Sequence, residues 1–268
     1  MQLEAKDLRD AIAEGIQSLL GLSISLTDER NEDPQPEYLT TAAVAFSLGE
    51  FAKRRSLHGK LRIRCEAQTK EIWIQGRLKW FMKQVSALVK PTPKPDFRNG
   101  NVDITLYAGP GFERPFAVIE NKKLLQFGQD GEVYKGDRDK MILDLKRNAD
   151  FIVGLGAVEG VHYSAFTFYL RDKDSALMPK DSDVFKAAKK RYFEDLVDRL
   201  GLDGRLRRNV LIETWDHGLF PSNQAALEED EYGQSAVEAE GAWHLLYGII
   251  SIYQPSSVVV DTQRLSDH

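Results

Sequence analysis

The sequence predicts an α/β protein, a β-sheet with helices packed against it. Stretches whose apolar residues recur three or four apart alternate with stretches in which they recur two apart, the periods of helix and strand. The most regular two-apart stretch, Asn101–Lys123, divides at Gly109-Pro110-Gly111 into two short strands and so predicts a hairpin. Hydrophobic residues make up 42% of 268 positions, enough for a single-domain core.

From the N-terminus, residues 3–20 carry Leu3, Leu8, Ile12, Ile16 and Leu19 on one helical stripe. The polar stretch Thr27–Pro36 is a connection. A second helix begins near Pro36, a residue suited to a first helical position, and presents Leu39, Ala42, Ala43, Phe46 and Phe51 for packing on a sheet. Lys60–Glu66 alternates as a strand, with Leu61, Ile63 and Cys65 set against Arg62, Arg64 and Glu66. The apolar piece Ile72–Ile74, a helix over Leu78–Val89 and a Pro-rich approach, Lys90–Pro95, lead into the hairpin. Leu124–Arg138 is expected as a polar loop, followed by a helix over Lys140–Ala149, a short apolar piece at Phe151–Val153 and a strand at Tyr163–Leu170. Val184–Leu200 predicts a helix closed by Gly201, and Asn209–Thr214 a late strand. Ala242–Tyr253 is so uniformly apolar that its periodicity fits helix and strand alike.

Composition narrows the chemistry. The single cysteine, Cys65, excludes an internal disulfide and a cysteine-based zinc cluster, and the five histidines lack metal-ligand spacing. No apolar run reaches the 18 residues of a membrane span, and the acidic, amphipathic N-terminus is unlike a targeting peptide, so a cytoplasmic protein is expected. The net charge of −5 is unevenly spread. Lys53–Arg98 holds 13 basic residues against 3 acidic ones, a net +10, whereas Gln224–Glu240 holds six acids and no base. The basic segment is either a solvated face or a surface that tracks phosphates; Arg62, Arg64, Lys79 and Lys83 are its candidate contacts to nucleic acid.

Reactive residues gather on the hairpin. Glu120 and Lys122 stand two apart on its second strand and share a face. With the turn centred near Gly109–Gly111, pairing puts Val118 opposite Asp103 and leaves Glu120 a diagonal neighbour of Asp103, roughly 7–8 Å away at Cβ. Two carboxylates so placed, with an ammonium beside them, can hold a hard divalent cation and steady a phosphate. The string Glu-x-Lys means little alone, since about one copy arises by chance in such a chain. Glu4-Ala5-Lys6 and the acidic variant Asp144-Leu145-Lys146 are such copies, both in helical stretches. Glu120 differs because it follows the apolar run Phe116–Ile119, where an unpaired charge is costly. The bland alternative is a strand end that has reached solvent. Asp96, in the Pro-rich approach, competes with Asp103 for the ligand role, but Asp103 lies within a strand, a more rigid platform.

This set resembles the PD-(D/E)XK nuclease superfamily, the restriction-endonuclease-like fold. The order helix, strand, hairpin, helix, strand over about Glu37–Leu170 is similar to that superfamily's core. The resemblance implies a central mixed sheet flanked by helices in one nuclease-like domain, with residues 1–36 as an N-terminal helical extension and 171–268 as a C-terminal elaboration. It implies a metal-dependent nuclease, acting on DNA in preference to RNA, of the kind found in restriction, defence, repair or mobile-element systems. Mg²⁺ or Mn²⁺ would be held by Asp103, Glu120 and the backbone carbonyl of Asn121, with Lys122 catalytic. Glu37, at the start of the second helix, is a further metal-facing candidate with Glu50 as its rival; Glu66 and Asp144 are lesser ones. Asn121 departs from the pattern, because many members carry an apolar residue there. The alternative is a catalytically weak or inactive subunit of the same fold that binds nucleic acid or a protein partner. The segments outside the core are candidates for a homodimer contact, a substrate clamp or a regulatory partner's site.

Overall fold

A computed structural model of the chain describes residues 3–27, 37–57, 59–72, 100–108, 114–126, 133, 135–154, 161–172, 191–195, 197–198, 208–220 and 243–253. Its elements are α1 (Ala5–Thr27), α2 (Glu37–Arg54), β1 (Leu61–Gln68), β2 (Asn101–Ala108), β3 (Arg114–Gln126), α3 (Lys135–Gly154), β4 (Tyr163–Asp172), β5 (Val210–Phe220) and β6 (Trp243–Tyr253). The strands form one six-stranded sheet in the order β1-β2-β3-β4-β6-β5. All neighbours are antiparallel except β3 and β4, which run parallel and are joined through α3. The fold is thus α/β with a mixed, open sheet and flanking helices. Among the described residues no helix is long and apolar enough to cross a membrane.

The helices divide the sheet into two sides. Leu8, Ile12 and Ile16 of α1 and Val44 and Leu48 of α2 pack on Ile104, Leu106, Ala117, Ile119, Ala165 and Ile249. Against the other side, Met141 and Leu145 of α3 and the helical residues Phe193 and Val197 cover Phe166, Phe168, Leu246 and Ile250. Strands covered on both sides lose the polar half of their alternation. This explains the uniform apolarity of β6, which lies between β4 and β5, and settles it as a strand.

Two element boundaries near the hairpin differ from expectation. β3 continues through Lys122 to Gln126, where a loop was expected, because its C-terminal half pairs in parallel with β4 as far as Arg171. Phe151 and Ile152 end α3 instead of forming a separate piece, and both are buried against the sheet. The predicted helix at Leu78–Val89, and with it Lys79 and Lys83, lies outside the described residues, as does Asp96.

One close approach can be tested. Gly248 of β6 is paired with Phe168 of β4, and a Cβ there would lie 2.2 Å from Phe168 Cζ. The ring has little room to yield, since it stacks on Phe193 with centroids 4.1 Å apart. Gly248→Ala is expected to destabilise the protein by about 1–3 kcal/mol, the usual range for overpacking. Urea denaturation should show a lowered midpoint at an unchanged slope; an unchanged midpoint would mean that the ring turns aside freely.

Candidate active site

β2 and β3 come into register two steps away from the simple hairpin. Ala108 pairs with Arg114, one step off, and a bulge between Leu106 and Tyr107 adds the second. Pro115, which has no N–H to donate, sits in β3 beside that bulge. The pairs Thr105↔Val118 and Ile104↔Ile119 follow, so the next residues in line are Asp103 and Glu120. The pairing ends at Ile104↔Ile119, so Asp103 and Glu120 are the residues that follow it on the two adjacent strands.

Asp103 also lies where the pleat of β2 slips. Ile104 packs under α1 and α2, whereas Val102 joins Val118 and the Phe151–Ile152 end of α3 on the other side. On β1 the partners of these two residues are Cys65 and Ala67, and Glu66 between them has φ 55°, a left-handed conformation unusual for glutamate. The Asp103 carboxylate meets β3 through its backbone, accepting a hydrogen bond from the Asn121 N–H at 2.6 Å.

Glu120 is 4% exposed and belongs to a closed set of four charges. Lys122 Nζ lies 3.0 Å from Glu120 Oε1 and 3.1 Å from Asp144 Oδ2. Arg147 Nη2 lies 2.6 Å from Glu120 Oε2 and 3.2 Å from Asp144 Oδ1. Each carboxylate thus touches both cations, and each cation both carboxylates. Asp144 and Arg147 are buried, while the Lys122 side chain keeps 20% of its surface exposed. A bulge between Asn121 and Leu124 falls at Lys122, a device that re-aims side chains at strand irregularities. The short Arg147–Glu120 approach is ionic: neither Arg147 Nη2 nor Glu120 Oε2 has an aligned hydrogen-bond partner, and Arg147 Nε has none either. Burial pushes the Glu120 carboxyl above its ordinary range; Arg147 and Lys122 oppose the shift, and Asp144 adds to it.

Asn121 faces the opposite side and is fully buried. Its Nδ2 donates to Thr41 Oγ1 of α2 at 3.0 Å, and its Oδ1 accepts from Thr167 Oγ1 of β4 at 2.7 Å. The departure from an apolar residue here is a polar clamp between helix and sheet, with the side chain turned away from Glu120.

The other candidates disperse. Glu37 opens α2, and its side chain lies outside the described residues. Its rival Glu50 pairs with Lys53 on the surface at 2.5 Å. Glu66 is exposed and accepts from Asn101 Nδ2 at 3.1 Å. Arg62 is exposed, whereas Arg64 is half-exposed and ion-paired with Glu71 at 2.7 Å. Asp144, from sequence both a chance copy of the motif and a lesser metal-facing candidate, is buried in the charge cluster. Arg147 was not legible as a site residue. An acid and a base three apart on a helix usually mark a solvated face, and only the contact with β3 distinguishes this pair.

Asp103, Glu120 and Asp144 against Lys122 and Arg147 leave one net negative charge when all are ionised. The acidic groups are hard oxygen donors, and Glu120 Oε2 is buried without an aligned N–H. Among the described residues no three His, Cys, Asp or Glu side chains converge closely enough to form a cation site by themselves. What the arrangement can offer a hard divalent ion is at most one or two carboxylates, a sparse donor set of the kind that Mg²⁺ completes with water. No protein-family model matches the chain, and no curated protein or solved structure shows significant similarity to it.

The position of Glu120 has a pH signature. Its folded-state affinity for a proton exceeds that of the unfolded chain, so its contribution to stability is complete below the ordinary carboxylate range and is lost as pH rises through the folded value. The unfolding free energy of wild type minus that of Glu120→Gln should therefore fall as pH rises from about 4 to 8, whatever the offset between the two proteins. Urea titrations without divalent metal would measure it. A difference that grows with pH would place the shift in the other direction.

Proposed function

We propose that the chain is a metal-dependent nuclease with a restriction-endonuclease-like fold, hydrolysing phosphodiester bonds in DNA. The observation that carries this reading is that Asp103 and Glu120 directly follow the Ile104↔Ile119 pair on adjacent strands, with the Lys122 ammonium 3.0 Å from Glu120. The order α2-β1-β2-β3-α3-β4, antiparallel up to β3 and then parallel, supports the resemblance drawn from sequence. Asp103 and Glu120 would hold the divalent ion, with the Asn121 carbonyl as the third candidate. When bound, the ion supplies Lewis-acid polarisation of the phosphodiester and a water acidic enough to act as nucleophile near neutral pH. Lys122 places a compact positive charge at the exposed edge of the cluster, where it can stabilise charge that develops on the phosphate. Asn121 fixes the strand beneath them by its bonds to Thr41 and Thr167. Affinity for nucleic acid rests on the basic segment, of which β1 contributes the exposed Arg62, and the preference for DNA rests on the family resemblance alone.

One observation favours a second reading, a subunit of the same fold that binds nucleic acid without cutting it. Glu120 already has two cationic partners, which compete with any bound metal. Calorimetric titration with Mn²⁺ separates the two: the nuclease binds the ion through Asp103 and Glu120, and the binding subunit does not.

Asp103→Ala and Lys122→Met are each expected to lower single-turnover cleavage of plasmid DNA in Mg²⁺ by at least about a hundredfold, the size of losing one preorganised transition-state group. Lys122→Arg should rescue little, because a wide planar fork replaces a compact ammonium. Wild-type rates in these variants would remove the site assignment.

Arg62 and Arg64 should contribute unequally. Arg62 is the more exposed, while Arg64 is partly neutralised by Glu71. Neutralising Arg62 should therefore flatten the salt dependence of DNA binding more than neutralising Arg64. Equal slopes for wild type and both variants would turn this strand away from the substrate.

A further inference from the structure

The four-charge cluster contains a redundancy that a simple ion pair lacks. Lys122 is held by Glu120 Oε1 at 3.0 Å and, independently, by Asp144 Oδ2 at 3.1 Å. Arg147 is likewise shared between Glu120 and Asp144, at 2.6 and 3.2 Å. Glu120 cannot serve a divalent ion and keep both of these partners at full strength. A lysine released from its only carboxylate would lose its position just when the substrate phosphate needs it. Asp144 removes that difficulty because it stands on α3, outside the β3 segment that carries Glu120 and Lys122. Its side chain is 94% buried, and its own helix supplies Arg147 as a second cation three residues on.

We infer that Asp144 is a positioning residue: it holds the Lys122 ammonium in place when Glu120 turns to a divalent cation. The catalytic part of this inference rests on the nuclease reading; the anchoring part does not. With Glu120 withdrawn, Asp144 still bridges Lys122 and Arg147, and the three groups carry one net positive charge. That charge lies beside Asp103 and Glu120, where an approaching phosphate brings negative charge. Asp144 needs no contact with substrate for this role.

Anchoring is tested without any cleavage assay. An ammonium held between carboxylates exchanges its protons slowly enough for the lysine Nζ signal to be observed by NMR in the full-length, ¹⁵N-lysine-labelled protein, with Lys122→Met assigning the signal. The signal should survive in Glu120→Gln, where Asp144 alone holds the lysine, and disappear when Asp144→Asn is added to that variant, both near-isosteric changes. Survival in the double variant, or loss in Glu120→Gln alone, would each overturn the inference; the second result alone suffices if the double variant does not fold. Single-turnover cleavage then tests the catalytic part. Asp144→Asn should slow cleavage at least about tenfold while DNA and Mn²⁺ affinities change less than about threefold. In the Lys122→Met background, adding Asp144→Asn should cost little more, the non-additivity of residues acting as one unit. Independent losses would overturn the positioning role. If wild type cleaves no nucleic acid while the NMR pattern holds, the nuclease reading fails and Asp144 remains the anchor of Lys122.

Discussion

Glu120, Lys122, Asp144 and Arg147 meet between β3 and α3 with little access to water, and each is tolerable there only because the others are present. Removing one member of a buried pair leaves an uncompensated charge, typically at a cost of about 3–5 kcal/mol. The arrangement therefore constrains α3 more sharply than its apolar contacts do. Met141 and Leu145 would pack on the sheet at several small rotations of the helix, but Asp144 and Arg147 reach Glu120 and Lys122 in few of them. Specificity of packing, more than net stability, is what such a cluster contributes.

The same strand is locked from its other side. Asn121 spends its amide on Thr41 and Thr167, beneath α2, where the neighbouring Ile119 is apolar and buried. Because the strand repeat is two, slipping β3 by one residue would exchange Glu120 and Asn121. A carboxylate would then face two hydroxyls, and an amide would face two cations. Two polar networks of opposite character on consecutive residues make that slip costly, and they fix the register that sets Asp103 and Glu120 next in line after Ile104↔Ile119.

Much of this was legible along the chain, and the failures share a cause. Period-two patterning located β2 and β3 and put Glu120 and Lys122 on one face, because those relations are local. The pairing of β2 with β3 was misjudged by two positions: the strands meet one step off at Ala108↔Arg114, and a bulge beside Pro115, which leaves no distinct mark in the alternation, adds the other. β3 was read as too short because Lys122-Lys123 resembles a strand exit, whereas the parallel pairing with β4 that carries it onward is non-local. Asp144 ranked only as a lesser candidate, and Arg147 went unnoticed, for a related reason. Their spacing is correct for an exposed helix pair, and the partners that make them a buried one lie more than twenty residues away in sequence. Lys79, Lys83 and the Glu37 side chain fall outside the described residues, so the sequence argument for them stands alone.

The cluster also shows where it can open. The ionised form of Glu120 is disfavoured in its site despite two cations in contact, because desolvation outweighs their attraction. A divalent ion would supply a concentrated compensating charge that a lysine and an arginine, each shared with Asp144, do not. Lys122 is the member with the most exposed side chain, so the cluster meets water at its ammonium. Arg147 and Asp144 form the closed edge against the helix. Opening from the Glu120 side keeps Lys122, Asp144 and Arg147 together, whereas opening from the Asp144 side would separate β3 from α3. In the proposed nuclease, the charges that hold helix to sheet would thus also serve the reaction, provided that Glu120 is the member that leaves.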